Sequence, residues 1–327
     1  MLTGKNFLIT GGTGSFGHTM VNKLLHTDVN EIVVFSRDEA KQHFMRQEIS
    51  DPRVRFILGD VRNFESIAKA LYGIDLIFHA AALKHVPASE SAPWEFVQTN
   101  VQGSHNLLRA ISESEVSKAV FLSTDKAVYP LNAMGMSKAL MEKLVRSDEY
   151  PSTAKSVITR YGNVIGSRGS VIPQFIESIK KSQSVIVTDK YMTRFMMSLE
   201  ESVDLVLFAL ENGNSGDLFV QKSPAATVET IIDALSILLD AKNIEVNTVG
   251  IRPGEKIHET LLSAEEKSLA LEHQKYFQVG KRTGGISASQ SIAEKSYTEY
   301  TSENTDILSA EQLADMLRAI PQISALI

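Results

Sequence analysis

The stretch TGGTGSFG at residues 10–17 follows a short apolar run, Phe7–Ile9, and opens a segment with a helix-like apolar stripe. A glycine-rich turn between a strand and a helix is typical of dinucleotide-binding proteins, although glycines also mark plain structural turns. In this pattern the first glycine permits the tight turn, the second lets the backbone approach the diphosphate, and the third lets the helix pack closely. The flanking strand and amphipathic helix favour dinucleotide binding, with the helix N-terminus facing the phosphates. The residues predicted to contact the dinucleotide here are Gly11, Thr13, Gly14, Ser15, Phe16 and Gly17.

The composition is that of an ordinary globular protein, and it excludes several classes of function. Apolar residues make up 43% and charged residues 22% of the 327 residues, which is enough for a substantial core in one or two domains. The net charge of −6 offers no basic surface for nucleic acid. The chain has no cysteine, which excludes disulfides, thiolate catalysis and cysteine-based metal sites, and we predict no metal.

The N-terminus and the longest apolar run both predict a cytoplasmic protein that does not insert into a membrane. The first residues lead directly into a strand and the glycine turn, without the architecture of a signal peptide. The longest apolar run, Leu205–Leu210, is far shorter than the roughly 20 residues that a membrane-spanning helix needs.

Buried strand-like runs alternate with helical ones through the first half of the chain. This alternation predicts an α/β fold: a Rossmann-type doubly wound parallel sheet, followed by a smaller C-terminal α/β substrate-binding domain. The predicted strands are Phe7–Ile9, Ile32–Phe35, Val54–Leu58, Leu76–Phe78, Ala119–Leu122 and Ser156–Thr159, and the predicted helices include Phe64–Tyr72, Trp94–Glu113 and Met134–Arg146.

Glycines interrupt the chain after Arg160, and we assign most of the residues beyond them to the second domain. The dinucleotide-binding domain is placed at residues 1–168 plus about 199–222, and the substrate-binding domain at 169–198 and 223–327. Residues 280–304, rich in Ser, Thr, Gly and Glu, are predicted to form an extended surface segment. The other predictions are helices at Met196–Ala209, Thr227–Asp240 and Leu261–Leu271, a strand at Ile244–Val249, an edge strand of the main sheet at Leu218–Val220, and a last helix with a capping box at Ser309 that ends before Pro321.

The end of the second strand predicts which dinucleotide binds. Enzymes that use NAD usually carry an acidic residue there for the ribose 2′-hydroxyl. Here Ser36 and Arg37 end the strand and Lys41 follows one helical turn later, which suits a 2′-phosphate and favours NADP. Asp38 supports the competing NAD interpretation, although we expect its carboxylate to cap the next helix. The residues expected beside the adenine, at the end of the third strand, are Asp60 and Val61.

A polar cluster, Ser123–Lys126, ends the fifth predicted strand. Because ligands bind at the carboxyl edge of a parallel sheet, a catalytic role for Asp125 and Lys126 is favoured over an exposed surface pair. On the next predicted helix Met134 stands four residues before Lys138. A thioether can neither give nor take a proton, so Met134 is expected to contribute only shape, as an ordinary apolar helix residue would.

Eight motifs from one end of the chain to the other carry a resemblance to a known family: TGGTGSFG, FSRDEAKQ, GDVRN, HAAALKHVP, TNVQGS, STDKA, RYGNVIGSRGS and GIRPGEKIHE. They resemble the extended short-chain dehydrogenases/reductases and, within that superfamily, the inverting UDP-N-acetylglucosamine 4,6-dehydratases. Where the superfamily carries a catalytic Tyr-x-x-x-Lys pair, this chain keeps Lys138 and has Met134 in place of the tyrosine. That replacement is similar to the capsular-polysaccharide branch of the family, on the route to UDP-N-acetyl-L-fucosamine.

The resemblance implies that NADP+ oxidises UDP-N-acetylglucosamine at C4, that water is lost across C5 and C6, and that the hydride returns to C6. Inversion at C5 is expected as well. Lys126 would remove the C5 proton, provided that Lys138 and the charged nicotinamide lower its pKa. Asp125 would protonate the departing hydroxyl, and Lys138 would hold the nicotinamide ribose. Without the tyrosine, the O4 proton would pass to Lys126, Lys138, Thr124 or a bound water.

The resemblance also implies residues around the cofactor and the substrate. His85 equally suits a hydrogen-bonded structural histidine, and any one residue of the substrate side equally suits an exposed surface position. The cofactor side would include Ala80, Ala81 and Lys84, and the substrate side Lys84, His85, Asn163, Arg168, Thr188, Met192, Arg194, Arg252 and Glu255.

Two rival functions stay open at this point. A UDP-sugar 4-epimerase would return the hydride to C4 and needs no acid/base pair at C5 and C6, so Asp125 and Lys126 favour dehydration. A non-catalytic NADP-binding module would fit the missing tyrosine, but the retained acid/base pair disfavours it. The resemblance further implies a homo-oligomer and suggests a hexamer.

Overall fold

The computed structural model describes residues 2–167, 169–281 and 298–327. Along these residues the strands are β1 (Asn6–Thr10), β2 (Glu31–Ser36), β3 (Val54–Leu58), β4 (Leu76–His79), β5 (Lys118–Thr124), β6 (Lys155–Tyr161), β7 (Asn163–Val164), β8 (Val185–Val187), β9 (Thr193–Met197), β10 (Leu218–Gln221), β11 (Ala225–Thr227), β12 (Val246–Thr248), β13 (Thr260–Leu262), β14 (Leu271–Glu272), β15 (Tyr276–Val279) and β16 (Tyr300–Thr301).

The α-helices of the same residues are α1 (Ser15–Leu25), α2 (Glu39–Glu48), α3 (Phe64–Ala70), α4 (Val86–Ser91), α5 (Pro93–Phe96), α6 (Gly103–Ser112), α7 (Ala133–Arg146), α8 (Val171–Lys180), α9 (Leu199–Asn212), α10 (Val228–Leu239), α11 (Ala264–Leu269), α12 (Ala310–Ala319) and α13 (Pro321–Ser324). A π-helix occupies Val97–Gln102, and a 3₁₀-helix occupies Asp125–Ala127. Every helix in the described part of the chain is too short or too polar to cross a bilayer.

Nine strands of the described residues form one sheet, in the order β3-β2-β1-β4-β5-β6-β10-β15-β14. The strands from β3 to β10 run parallel, and β15 and β14 continue the sheet in antiparallel pairing. The order β3-β2-β1-β4-β5-β6 is that of a doubly wound Rossmann fold. The predicted fold class is therefore confirmed.

Helices cover both faces of this sheet, which explains why its central strands consist almost entirely of buried residues. On one face α1 and α9 pack against the strands, through residues such as Met20 and Val206. On the other face α3, α6 and α7 do so, through residues such as Leu107 and Met141. The chain leaves β1 and β4 in opposite directions across the sheet, so their carboxyl ends flank the crevice in which doubly wound proteins bind ligands.

A third hydrophobic cluster lies in the C-terminal part of the chain. Helices α8, α10 and α12 contribute its core, with Phe175, Leu235 and Leu317 among the buried side chains. The described residues also form three smaller sheets: β11-β9-β7, β12-β8 and β13-β16. Helix α12 starts at the predicted capping box, in which Ser309 and Gln312 cap each other, and it ends before Pro321, where the short helix α13 begins. The division into two domains stays a prediction.

Some predicted elements differ from the structure because pairing partners are distant in sequence. Leu218–Val220 lies within β10 and joins the main sheet, but β15 and β14 cover it, so it is not an edge strand. The predicted helix Leu261–Leu271 is a strand, the short helix α11 and another strand, because its two ends pair with β16 and β15. Of the predicted surface segment 280–304, residues 282–297 lie outside the described residues.

Two other predicted helices differ from the structure because the backbone geometry changes within the predicted range. The predicted helix Trp94–Glu113 is divided into α5, the π-helix Val97–Gln102 and α6. The start of the predicted helix Met196–Ala209 belongs to β9, and α9 begins only at Leu199, after the cap at Ser198. In both cases the apolar pattern is correct, but it does not mark the change of backbone geometry.

Candidate active site

The glycine turn joins β1 to α1 at the carboxyl edge of the sheet, as predicted. Gly11 adopts a φ of +68°, and a Cβ added there would lie 2.8 Å from the Ala81 backbone. A Cβ on Gly17 would collide with Gly12, so only glycine lets α1 start against the turn. Gly14 directly precedes α1, and the first amides of an α-helix have no acceptor within the helix. This backbone can approach and bind a diphosphate.

The side chains of the turn are fixed by contacts with neighbouring strands. Thr13 Oγ1 lies 2.9 Å from Ser36 Oγ at the end of β2. The Phe16 ring packs on Phe78 and Tyr161, with centroid distances of 5.0 and 5.5 Å. These contacts fix the positions of the Thr13 and Phe16 side chains against the ends of the strands.

The helix after β2 begins with the predicted cap. Asp38 accepts a hydrogen bond from the backbone N–H of Lys41 at 3.0 Å, and its other oxygen lies 2.6 Å from the Lys41 ammonium. Capping of α2 by Asp38 is confirmed. Because the Lys41 ammonium pairs with that carboxylate, it reaches a 2′-phosphate only by leaving this pair.

Arg37 lies at the edge of the same site, beside the end of β3. Its Nη1 is 3.6 Å from Asp60 Oδ2, and its side chain is about half exposed. Arg62 holds the same carboxylate with Nε and Nη2 at 3.0 and 2.8 Å. Burial would raise the pKa of Asp60, but the hydrogen bonds from Arg62 and the charge of Arg37 outweigh it and lower that pKa. Val61 is buried against Gly103. The contact between Arg37 and Asp60 is therefore long, and the half-exposed Arg37 side chain can also bind another anion.

A buried histidine that the sequence reasoning missed lies beneath the site. His79 ends β4, with Nδ1 2.7 Å from Thr10 Oγ1 and Nε2 3.0 Å from Ser104 Oγ. Burial, with a smaller contribution from the charge of Lys138, lowers the pKa of His79 to about 3, so its ring is neutral. It fixes the end of β4, after which Ala80 donates its N–H to Thr10. The sequence signal that could have revealed His79 is its position as a histidine at the end of an apolar strand.

The loop after β4 carries Lys84 and His85, and both side chains are exposed. The role of His85, as a substrate contact or as a hydrogen-bonded structural histidine, stays a prediction. Asn100, from the π-helix, holds this loop: its amide donates to Leu83 O at 2.9 Å and its oxygen accepts from Leu83 N at 2.8 Å. Asn100 also donates to Ser137 Oγ at 2.9 Å, which ties the loop to α7.

One lysine at the end of β5 lies between two buried carboxylates. Lys126 Nζ is 3.0 Å from Asp125 Oδ1 and 3.2 Å from Glu259 Oε1. The Asp125 and Glu259 side chains are 0% and 3% exposed, whereas Lys126 keeps 23%. Thr124 donates to Asp125 Oδ1 at 2.8 Å. Asp125 Oδ2 and Glu259 Oε2 have no hydrogen-bond partner among the described residues. We call Asp125, Lys126 and Glu259 the lysine triad.

The two carboxylates determine the protonation state of Lys126, for which the sequence prediction requires a lowered pKa once the charged nicotinamide is present. Burial acts in that direction, but attraction by Asp125 and Glu259 outweighs both burial and the repulsion from Arg194, and it raises the pKa of Lys126. In this structure Lys126 is therefore an ammonium, and the lowered pKa, which depends on the charged nicotinamide, stays a prediction. Glu259 is a second residue that the sequence reasoning missed, although it closes the GIRPGEKIHE motif.

Helix α7 brings Lys138 to the same strand end. Asn132 caps α7 by accepting from Gly135 N at 2.8 Å, and a Cβ on Gly135 would collide with the Lys126 carbonyl oxygen. Glycine at this position therefore lets the first turn of α7 lie against the lysine triad. Lys138 is 6% exposed, and its Nζ lies 3.0 Å from Met141 Sδ. Burial lowers the pKa of Lys138 to about 8.

Met134, which replaces the expected tyrosine, lies in the first turn of α7 and is 4% exposed. Its carbonyl accepts a hydrogen bond from Ser137 Oγ at 2.7 Å. The burial agrees with an ordinary apolar helix residue, and a role of Met134 in shaping the site stays a prediction.

The predicted substrate side is built from strands and loops of the C-terminal part. Arg194 Nη1 donates to two backbone carbonyls at 2.8 and 3.1 Å, and its Nε is 3.9 Å from Glu259 Oε1. Thr188 Oγ1 and Met192 Sδ are 3.4 Å apart, and Met192 is buried. The structure thus brings Arg194 to the lysine triad.

The loop before Glu259 holds the other predicted pair. Arg252 Nη1 and Glu255 Oε1 are 3.9 Å apart, and Arg252 is more than half exposed. Asn163, in β7, is exposed. Arg168, also predicted here, lies outside the described residues. Substrate contacts by these residues stay predictions.

A second buried cation lies between carboxylates on the next strand. Arg160, in β6, contacts Glu142 through Nε and Nη2 at 3.0 and 2.5 Å, and Glu266 through Nη1 and Nη2 at 2.8 and 3.2 Å. Its Nη1 also donates to Leu261 O at 2.8 Å, and Ser123 Oγ donates to Glu142 at 2.5 Å. Burial would lower the pKa of Arg160, but the two carboxylates outweigh burial and raise it. We call Glu142, Arg160 and Glu266 the arginine triad.

Known proteins share both the sequence and the architecture of this chain. Residues 7–281 match the family model described as "Polysaccharide biosynthesis protein". The chain belongs to this family. A relative from Rickettsia conorii, named UDP-glucose 4-epimerase, is 45% identical in an alignment of 335 positions that covers 99% of this chain and 98% of that protein. A protein of the same name from Rickettsia felis is 46% identical in an alignment that covers 97% of this chain and 96% of that protein.

Solved structures agree with the family. Pen from Bacillus thuringiensis is 34% identical, with a TM-score of 0.89 over 97% of this chain and 98% of that one. A dTDP-glucose 4,6-dehydratase from Streptomyces venezuelae, DesIV, solved with NAD and DAU bound, is 24% identical, with a TM-score of 0.70 over 77% of this chain and 86% of that one. DesIV is evidence for the fold alone. The protein is thus an enzyme of the extended short-chain dehydrogenase/reductase superfamily, of the nucleotide-sugar dehydratase/epimerase type.

Proposed function

We propose that this protein catalyses the NADP-dependent 4,6-dehydration of UDP-N-acetylglucosamine with inversion at C5. The lysine triad carries this proposal. Elimination across C5 and C6 needs a proton acceptor and a proton donor side by side, and Lys126 and Asp125 are 3.0 Å apart at the carboxyl end of β5. The 6-deoxy-4-keto product would serve capsular polysaccharide synthesis through N-acetyl-L-fucosamine, in keeping with Met134 at the tyrosine position.

The resting ion pair explains how one pair serves as both base and acid. Transfer of one proton from Lys126 Nζ to Asp125 Oδ1, along their existing hydrogen bond, produces a neutral amine and a protonated carboxyl. The amine then accepts the C5 proton, and the carboxyl donates its proton to the departing C6 hydroxyl. Both groups return to their resting charges, so the proton balance of the elimination closes within the pair. The proton taken up at C5, when the hydride returns to C6, balances the proton released from O4 during oxidation at C4.

The glycine turn fits a bound dinucleotide, because it leads directly into α1, whose first amides have no acceptor within the helix. We place Ser36, Arg37 and Lys41 on the 2′-phosphate, and Lys138 on the nicotinamide ribose. When bound, the cofactor supplies the reversible oxidation at C4 and reduction at C6. Lys138 Nζ suits its role because it is buried beside a thioether, which is only a weak acceptor.

The cofactor proposal is tested by Arg37→Glu, with the exposed Arg318→Glu as the matched control. Reversing the charge beside the proposed 2′-phosphate site removes a charge-assisted contact, which costs about 2 kcal/mol or roughly thirtyfold in affinity. We expect NADP binding to weaken by at least that factor and NAD binding to change far less, as measured by calorimetric titration of both. Equal losses for the two cofactors would remove the reason for choosing NADP.

The reaction is tested by NMR of the product formed from UDP-N-acetylglucosamine in deuterated water. We expect a 6-deoxy-4-keto sugar with a methyl signal at C6 and deuterium at C5. Lys126→Arg should not form it, because a guanidinium cannot become a neutral base, whereas Lys143→Met, which removes an exposed lysine of α7, should. A product that keeps its C6 hydroxyl would contradict dehydration.

UDP-sugar 4-epimerisation is the second candidate. The observation that favours it is the name UDP-glucose 4-epimerase, borne by relatives 45% identical over almost the whole chain. The same NMR experiment with UDP-glucose separates the two functions. Formation of the C4 epimer without deuterium at C5 would favour the epimerase.

A further inference from the structure

Glu259 takes no part in the proton transfer proposed above. Its carboxylate nevertheless contacts Lys126, as the Asp125 carboxylate does. Its side chain is 3% exposed, with one oxygen 3.2 Å from Lys126 Nζ and the other without a partner among the described residues. A buried carboxylate is costly unless a cation and hydrogen bonds compensate it. Lys126 is the nearest such cation, so Glu259 and Lys126 depend on each other.

The backbone of Glu259 is fixed from the C-terminal side. Its N–H donates to Ser302 Oγ at 2.8 Å, and its carbonyl accepts from Ser302 N at 2.8 Å. Ser302 is fully buried, and its Oγ also lies 2.6 Å from Thr193 Oγ1 on β9. The carboxylate is therefore presented by a rigid support.

The segment 254–259 is also fastened to the loop after β5. Asn132 Nδ2 donates to Gly254 O at 2.9 Å, and Lys256 Nζ donates to Val128 O. The ion pair of the lysine triad is the third contact between the two segments. Three contacts over six residues place Glu259 against the loop that carries the acid/base pair.

We propose that Glu259 is a positioning residue, which holds the Lys126 ammonium from the C-terminal part of the chain while Asp125 holds it from the end of β5. This inference rests on the proposed role of Lys126. The charged groups that face Lys126 are Asp125 on its own 3₁₀-helix, Glu259 and Lys256 from the segment 254–259, and Arg194 from β9. Without the charge of Glu259, the Asp125 carboxylate faces Lys126 together with two cations, Lys256 and Arg194. Lys126 therefore loses its proton at lower pH.

The test compares Glu259→Gln and Glu259→Asp with the exposed Glu272→Gln as control. A misplaced Lys126 should lower kcat of Glu259→Gln about tenfold to a hundredfold, while KM for the nucleotide sugar changes less than about threefold. The limb of the pH profile that reports Lys126 should move to lower pH. Glu259→Asp keeps the charge, so that limb should return towards its wild-type pH while kcat stays low. Glu272→Gln should match the wild type.

A direct titration separates this inference from the proposed reaction. In ligand-free protein with ¹³C-labelled lysine, the Lys126 Cε resonance is identified by its absence in Lys126→Arg. We expect this resonance to begin titrating at lower pH in Glu259→Gln than in the wild type. A C4 epimer from wild-type protein would overturn the proposed dehydration but leave this titration to decide the role of Glu259.

A folded Glu259→Gln with the wild-type pH profile and the wild-type Lys126 titration would overturn the inference and make Glu259 a purely structural residue. If Glu259→Gln does not fold, Glu259→Asp decides. A lowered kcat at an unchanged pH limb supports positioning, and a wild-type kcat refutes it.

Discussion

The lysine triad and the arginine triad both hold one buried cation between two carboxylates, one from the sheet side of the chain and one from residues 259–266. They differ in how completely their polar atoms are paired. Arg160 uses all five of its N–H donors. In the lysine triad two carboxylate oxygens have no partner among the described residues, and Lys126 is partly exposed.

This difference separates a structural network from a reactive one. A fully satisfied buried network holds its parts in one arrangement, and any change of partner costs free energy. A buried network with unpaired oxygens is less stable, and it retains the capacity to bind or move a proton. Both triads join the Rossmann strands to the C-terminal part, but only the lysine triad is equipped for chemistry.

The largest effect is expected from Lys126→Arg, which keeps the cation but removes the possibility of a neutral base. Loss of a positioned acid/base group should lower single-turnover formation of the keto sugar about a hundredfold to ten-thousandfold. The midpoint of thermal unfolding should stay close to that of the wild type, because both carboxylates keep a cationic partner. Near-native activity would remove the lysine triad from the mechanism.

A smaller effect, on stability instead of activity, is expected from the converse exchange, Arg160→Lys. Three N–H donors replace five, so at least two charge-assisted hydrogen bonds are lost, which lowers the free energy of unfolding by about 3 kcal/mol or more. Urea unfolding measures this loss, and kcat at a temperature well below unfolding should remain within a few-fold of the wild type. A large fall in kcat with unchanged stability would place the arginine triad in the chemistry and erase the contrast between the triads.

The smallest effect is expected from Met134→Leu, which replaces the buried thioether with an apolar side chain of similar volume. Such exchanges cost less than about 1.5 kcal/mol of stability, and no titrating group is lost. Keto-sugar formation should therefore stay within a few-fold of the wild type, with cofactor binding checked first. A loss as large as that of Lys126→Arg, in a folded protein, would show that the sulfur itself is required.

Local signals in the sequence predict the first half of the fold and the location of the site. The glycine turn, the cap at Asp38 and the capping box at Ser309 each depend on a few neighbouring residues, and the structure has all three. Pairing across long separations is what the sequence does not reveal. The covering of β10 by β15, and the approach of Glu259 to Lys126, depend on how distant segments fold together.

The protonation state of Lys126 is beyond sequence reasoning for a related reason. Burial and Coulombic attraction act in opposite directions on its pKa, and their sum depends on distances that only the folded chain defines. Asp125 is visible beside Lys126 in the sequence, but the second carboxylate is not. With Asp125 alone, the direction of the Lys126 pKa shift does not follow from the sequence. With Glu259 as a second carboxylate, the pKa is raised.

The π-helix at Val97–Gln102 has a consequence for how this chain tolerates insertions and deletions. A π-turn contains one residue more than an α-turn, and each α-helical residue advances the helix by about 100°. The surplus residue therefore sets the rotational phase of α6, whose apolar side faces the sheet, relative to Asn100, which faces Leu83 and Ser137. Deletion of one residue within Val97–Gln102 would rotate one of these two surfaces away from its partner, whereas a substitution in the same segment leaves the phase intact.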